Sequence, residues 1–282
     1  MALIPRGHRC RPGVALPVAA LFVLTFTGSG VIAQAPQPAP RTRPTAPAAA
    51  APAAKPDAAL PTARTIIDRH IATVGGRQAI LARSSLHATG TVAIASQGMT
   101  GSIELFAAKP NKSLQRISLG GIGAIEEGFD GTIGWSLSPI TGPALSQGPE
   151  LEQKKFDADF YSELHDNARY ESMSTVEKTD FEGRPCYKVR LVRRGGGEEF
   201  EFYDVETGLK AGGIATRDSP MGPITATSVE GGYKRFGQLL QATTLKSTAM
   251  GLQQLVTLTT VEYDTVSPSA FEPPAAIKAL VK

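Results

Sequence analysis

Beyond residue 33 the chain carries three histidines, His70, His87 and His165, and one cysteine, Cys186. Zinc chemistry needs ligands at short spacings, such as H-E-x-x-H or paired C-x-x-C, and neither occurs. The spacing therefore predicts no metal centre and no cofactor. Each histidine reads as a surface or internally bonded residue. There is no G-x-S-x-G elbow to present a serine nucleophile. Cys186 follows Pro185 in a strand-like segment with no histidine beside it in sequence, which argues against a reactive thiol. Gly120-Gly121-Ile122-Gly123 has the glycine count of a phosphate loop but lacks the Lys-Ser/Thr ending, so it reads as a turn. Glu126-Glu127 and Glu198-Glu199 are adjacent in strands, so the two members of each pair point to opposite faces. Neither pair can act as acid and base at one site. Asn111-Lys112-Ser113 fits a glycosylation sequon, a match common by chance. Trp135 is the single tryptophan and could stack on a ligand, although a lone strand tryptophan is more often core.

With the chemical motifs mostly absent, charge and segment composition carry the next step. The chain has 29 basic and 26 acidic residues, and Arg6, Arg9 and Arg11 account for the excess. Without them the charges balance, which argues against a dedicated nucleic-acid binder. Those arginines precede an apolar run from Val14 to Phe26, and small residues follow at Gly28, Ser29, Gly30 and Ala33. This order is that of a secretory signal, with cleavage expected after Ala33. The run is shorter than the ~20 residues that span a bilayer. No cysteine stands at the cleavage point for a lipid anchor. From Gln34 to Thr62 the chain is rich in proline and alanine and reads as an extended, disordered linker. It is either a reach across the cell envelope to a partner or an unselected spacer.

The globular part is expected over 63–282. Ile66, Ile67, His70, Ile71 and Val74 recur at helical spacing, and Gly75-Gly76 ends that helix. From Leu86 the period becomes two. Strands are predicted at about 86–94, 99–108, 112–119, 123–130 and 133–138, with Asp130-Gly131 as a hairpin turn. One helix is predicted over 149–166. Strands return at 170–180, 185–193, 198–205, 208–217, 222–235, 239–249 and 254–264, and Ala275 to Val281 reads as a short helix. Helices do not alternate with strands, which argues against a parallel α/β sheet. The fold class is mainly β (α+β): a curved antiparallel meander of about eleven strands forming a half-barrel, with an N-terminal and a mid-chain helix over its apolar face.

Eleven strands ~4.8 Å apart and ~20 Å long present a face of roughly 1,000 Å². One helix covers about 300 Å² of it. A monomer rarely leaves the remainder bare without a use. The alternation predicts a cavity lined by Ile103, Leu105, Tyr187, Val189, Leu191, Phe200 and Phe202, with Lys188, Arg190, Glu199 and Glu201 on a wet face. Phe156, Phe160 and Leu164 form an i, i+4, i+8 stripe on the mid-chain helix, expected to lie over the opening or as ordinary core. Trp135 completes the candidate ligand contacts.

Several stretches then suggest a family. They are the helix ending in Gly75-Gly76, the run Phe129-Asp130-Gly131-Thr132-Ile133-Gly134-Trp135, the run Phe181-Glu182-Gly183-Arg184-Pro185-Cys186-Tyr187, and the run Phe202-Tyr203-Asp204-Val205-Glu206-Thr207-Gly208-Leu209. Over about 63 to 265 the sequence resembles the outer-membrane lipoprotein-sorting group, the LolA/LolB-like carriers. The resemblance implies an antiparallel half-barrel closed by helices around an apolar cavity for acyl chains. It also implies a periplasmic carrier that moves lipoproteins or lipids toward the outer membrane. Its partners would be acyl chains and an envelope protein reached through the linker, with transient membrane contact and no nucleic acid. The chain is longer than the carriers of that group because of its linker, and no arginine here aligns with their lid-closing one. Two other readings stand beside this one. The first is a non-catalytic scaffold of the envelope with a dry β core. The second is a hydrolase, which would need converging polar groups that the sequence does not display.

Overall fold

The side chain of Thr62 starts the first helix, accepting a hydrogen bond from the Thr65 N–H at 3.2 Å. The computed structural model describes residues 59–217 and 222–281; the expected signal (1–33) and most of the expected linker (34–62) lie outside them. Pro61, the residue before that cap, is already tied to the folded body through Thr175, whose hydroxyl donates to its carbonyl at 2.6 Å. Helix α1 runs Ala63–Val74 and buries Ile66, Ile67, His70, Ile71 and Val74, the stripe predicted from the sequence. Gly75 ends it at φ +135°, where a side chain would also collide with Leu239. A short helix α2, Arg77–Leu81, leads into the sheet.

Six strands follow: β1 (Ser85–Ile94), β2 (Met99–Ala108), β3 (Lys112–Leu119), β4 (Gly123–Phe129), β5 (Gly134–Ser138) and β6 (Gly142–Leu145). After α3 (Gly148–Asp157) come β7 (Tyr170–Phe181), β8 (Arg184–Arg193), β9 (Glu198–Asp204), β10 (Lys210–Arg217) and β11 (Ile224–Gly231). A separate hairpin, β12 (Lys234–Phe236) and β13 (Leu239–Gln241), precedes β14 (Thr244–Ala249), β15 (Leu252–Tyr263) and α4 (Ala275–Lys278). The predicted strands match these elements closely. The differences are β6, which the sequence reading missed, and the hairpin: Gly232 and Tyr233 separate β11 from β12, and Ala242 and Thr243 separate β13 from β14, within what was read as two long strands.

Thirteen strands form one antiparallel sheet in the order β6-β5-β4-β3-β2-β1-β15-β14-β11-β10-β9-β8-β7. It is two meanders joined by the pairing of β1 with β15. The sheet is not closed: β6 and β7 are its edges. Its curvature follows from α3. Lys154 binds Glu127 on β4 at 3.1 Å, and Asp157 binds Arg217 on β10 at 3.6 Å. Those strands are seven apart in the sheet order. Laid flat they would be about 34 Å apart, whereas α3, at 10 residues, is about 15 Å long. One short helix can touch both walls only if the sheet curls around it.

The register assigns every side chain to the inner, helix-bearing face or to the outer face. Val92, Ile103, Ile117, Leu119, Val256 and Leu258 are buried on the inner face of the central strands. Val189, Leu191 and Tyr203 are inner residues of β8 and β9, packed under α1 with Leu239 of β13. On the outer face Trp135 packs with Leu114, Phe271 and Ile277, so the C-terminal segment covers it. Its ring lies across Gly128, where any side chain would strike it. A second outer cluster holds Phe181, Cys186, Phe202 and Ala211, with Phe200 beside them.

Candidate functional site

The inner face has two parts of different chemistry. Over β8, β9 and β10 it is a buried polar network. His70 projects from α1; its Nδ1 accepts from the Lys210 backbone N–H at 3.1 Å, and its Nε2–H donates to Glu163. Glu163 lies in a 3-10 turn, Ser162–Leu164, beneath α1. His165 follows that turn and donates from both ring nitrogens, to the Glu163 carbonyl at 2.8 Å and to the Glu201 carboxylate at 2.7 Å. The Tyr203 hydroxyl also donates to Glu201. Lys210 Nζ lies between Glu201 at 3.5 Å and Glu230 at 3.0 Å. Nearer the rim, Arg217 lies between Asp157 at 3.6 Å and Glu199 at 3.3 Å, and Tyr170 donates to Glu199 at 2.9 Å.

For several of these groups burial and charged partners pull the titration in opposite directions. Burial alone would lower His165, but the Glu201 carboxylate outweighs it and holds the ring above its usual range. Burial would raise Glu163, yet His70 and Lys210 bring it down to about 2. Glu201 is held well below the carboxylate range, against its burial, by His165 and Lys210. Glu230 is raised, because desolvation exceeds the attraction of Lys210. Asp157 is raised for the same reason, with Arg217 opposing. Each acid in this network has a base or hydroxyl from another element as partner. The arrangement ties α1 and the 162–165 segment to the sheet.

The second part lies over β10, β11 and β14. Between the inward pairs Arg217–Ile224 at one end and Glu230–Leu245 at the other, its inward residues are Gly213, Ala215, Ala226, Ser228, Ser247 and Ala249. None reaches beyond one heavy atom past Cβ, so this strip of the wall is low. Bulky apolar residues flank it on β15, β1, β2 and β3. Of the described helices, α1 packs on β7, β8, β9 and β13, α3 on β5 with side-chain ties to β4 and to Arg217 at the end of β10, and α4 on β6. We call this small-residue strip of the inner wall, between the apolar strands on one side and the ion network on the other, the trough.

The residues expected to line a cavity are divided by this geometry. Ile103 and Leu105 lie on the inner face beside the trough. Tyr187, Val189 and Leu191 share that face, but Val189 and Leu191 are packed beneath α1. Phe200 and Phe202 lie on the outer face, because Val189 pairs with Glu201 and Leu191 with Glu199. That register also moves Glu199 and Glu201 from the expected wet face into the buried network. Trp135 is outer-face core. The helical stripe is broken: α3 ends at Asp157, so only Phe156 is on it. Arg169 fixes that end, donating to the Phe156 carbonyl at 3.0 Å and to Asp159 at 2.6 Å, while Asp159 accepts from the Tyr161 N–H. Phe160 is buried against Tyr161, and Leu164 packs under α1.

The other residues singled out in the sequence are structural. Cys186 is buried and its thiol is pushed up to about 11, mainly by desolvation. Gly121 and Gly123 form the β3–β4 turn at positive φ. Asp130 accepts from the Thr132 and Ile133 N–H groups in the β4–β5 turn. Glu126 faces outward to Arg116, whereas Glu127 faces inward to Lys154, as strand geometry requires. Among the described residues no three metal-ligating side chains gather to hold an ion.

No family model matches the sequence, and no curated protein does either. Solved structures do match. A DUF1329 family protein from Desulfovibrio piger superposes with a TM-score of 0.51 at 10% identity, over 74% of this chain and 97% of its own. A LolA superfamily protein from Nitrosomonas europaea gives 0.50 at 11% identity, over 76% and 99%. This chain shares its fold with the LolA superfamily. An unclosed antiparallel sheet curled around helices is therefore a LolA-like half-barrel, as the sequence resemblance implied. At this identity the likeness concerns the fold, and the trough and the network are properties of this chain's own residues.

Proposed function

We propose that this protein is a non-catalytic carrier that holds the acyl chains of lipids or lipoproteins in the inner trough of its LolA-like half-barrel. It would work in the periplasm after export, with the signal cleaved after Ala33, and deliver its cargo toward the outer membrane. The observation that carries this reading is the trough itself, a small-residue floor beside an apolar wall in a sheet held curved but not closed. Acyl chains would bind there by burying methylene groups, at about 0.8 kcal/mol each. That driving force needs no chemical step. It also agrees with the polar network, whose members are matched to one another rather than aimed at a substrate.

Ligand extraction from detergent-free protein followed by mass spectrometry tests the proposal directly, and a bis-ANS titration reports the free trough. Ile117→Glu puts a charge in the apolar wall and should reduce dye and lipid binding at least tenfold. Thr227→Glu, on the outer face, should leave both unchanged. Wild-type protein that yields no lipid and binds no dye would establish the dry-core scaffold instead.

A further inference from the structure

One polar row crosses the trough. Glu201, Gly213, Ser228, Ser247 and Gln254 are directly opposed in register on β9, β10, β11, β14 and β15. On β14 and β15 the adjacent inward residues are apolar, Leu245 and Val256 on one side, Ala249 and Leu252 on the other. Two members of the row have protein partners. Glu201 binds His165, Tyr203 and Lys210, and the Ser228 hydroxyl donates to the Gly213 carbonyl at 3.4 Å. Ser247 differs. It is 4% exposed, and its hydroxyl has no hydrogen-bond partner among the described residues. A buried hydroxyl left unpaired costs stability, and native structures pair nearly all such groups. This one points into the trough.

We propose that Ser247 is the hydrogen-bonding contact for an uncharged acyl ligand, one joined through an ester or amide, with its chain along the small-residue floor. The inference rests on the carrier reading above and names the chemistry that the trough selects. A serine hydroxyl donates to a carbonyl oxygen, which an ester or amide supplies and a bare hydrocarbon does not. A free fatty carboxylate would also accept, but charge opposes it. The same wall carries Glu199, Glu201 and Glu230, and its cations are already committed. Lys210 lies between Glu201 and Glu230, and Arg217 between Asp157 and Glu199. A further carboxylate would enter a poorly solvated site without a free counter-charge. The row thus separates an acyl ester from the free acid of the same chain length.

The test compares 1-monolauroylglycerol with laurate, each displacing bis-ANS from the full-length protein at mildly alkaline pH. Wild type is expected to bind the ester more tightly than the acid. Ser247→Ala should weaken ester binding about three- to tenfold, the worth of one neutral hydrogen bond, and leave laurate and bis-ANS unchanged. Ser247→Thr, which keeps the hydroxyl, should keep the preference. Without ligand, Ser247→Ala should melt at the same temperature as wild type or higher, since it removes an unpaired group. Ester and acid weakened alike, ester binding unaffected, or a lower melting temperature in ligand-free Ser247→Ala would each overturn the assignment. If wild type binds the dye and both lipids equally, Ser247 has no such role and the carrier reading stands. If it binds none of the three, both fall together.

Discussion

Glu201 shows what one residue needs before its role can be read. In the sequence it alternates with Phe200 and Phe202, and alternation says only that the two kinds of side chain occupy opposite faces. Choosing the phenylalanine face as the interior follows from hydrophobicity alone. It fails here because both faces of β9 are covered, one by α1 and one by the Phe181–Phe202 cluster. The partners that make a buried Glu201 tolerable, His165 and Lys210, come from a turn and from another strand, which local pattern cannot show. The network makes a pH prediction with a definite sign. His165 is raised in the folded protein, so its stabilising contribution is complete below about 6.5 and is lost as pH rises through the raised value. Glu163 is lowered to about 2, so its contribution is present above 4.5 and disappears as pH falls toward 2. Glu127, Asp157 and Glu230 are raised and so also reduce stability as pH rises from the acid side. Urea midpoints measured across pH should therefore fall off on both sides. In His165→Gln the difference from wild type should be largest at acid pH and shrink above neutrality. A difference that grows with pH would mean that the ring is not held as the cation.

At the scale of the element, α3 is the informative case. The i, i+4, i+8 stripe lies in one helix predicted to run through residue 166, yet the helix stops nine residues earlier because Arg169 and Asp159 take over the hydrogen bonding at its end. Periodicity reports which residues are apolar and evenly spaced. It does not report a competing side chain arriving from 12 residues further on. The helix that remains straps the two walls through Lys154–Glu127 and Asp157–Arg217. Arg217→Ala should destabilise the protein by about 3–5 kcal/mol, because Asp157 and Glu199 are left buried without their cation. The paired replacement of Lys154 and Glu127 by methionine should be nearly neutral in stability, since it removes both charges at once. Its effect should appear instead in α3, as faster amide exchange there than in α1. Unchanged exchange in α3 would show that the strap does not hold it.

For the whole molecule, most strands and the meander order within each half are legible because hairpin pairing is local and turn residues mark it. The pairing of β1 with β15 is not, since those strands lie at opposite ends of the sequence and no local signal joins them. That pairing fuses two meanders into one sheet wide enough to curl, and the trough is a product of the curl. Its floor is equally hard to foresee: Ala215, Ala226 and Ala249 are unremarkable in a strand, and matter only because the register puts them side by side. This gives a test that separates a carrier from a dry scaffold by the sign of a stability change. Ala226 pairs with Ala215 and Ala249 in the middle of the floor. If the space above it is meant for a ligand, Ala226→Leu adds buried methyl groups to an underfilled site. The ligand-free protein should then gain about 1–2 kcal/mol, at about 0.8 kcal/mol per methylene-sized group. Bis-ANS and lipid affinity should fall at least tenfold at the same time, because the side chain occupies the ligand's place. In a close-packed dry core the same change would be overpacking and would cost about 1–3 kcal/mol. Chemical denaturation of Ala226→Leu beside a dye titration therefore reads both quantities, and a destabilised variant would place the protein among the scaffolds.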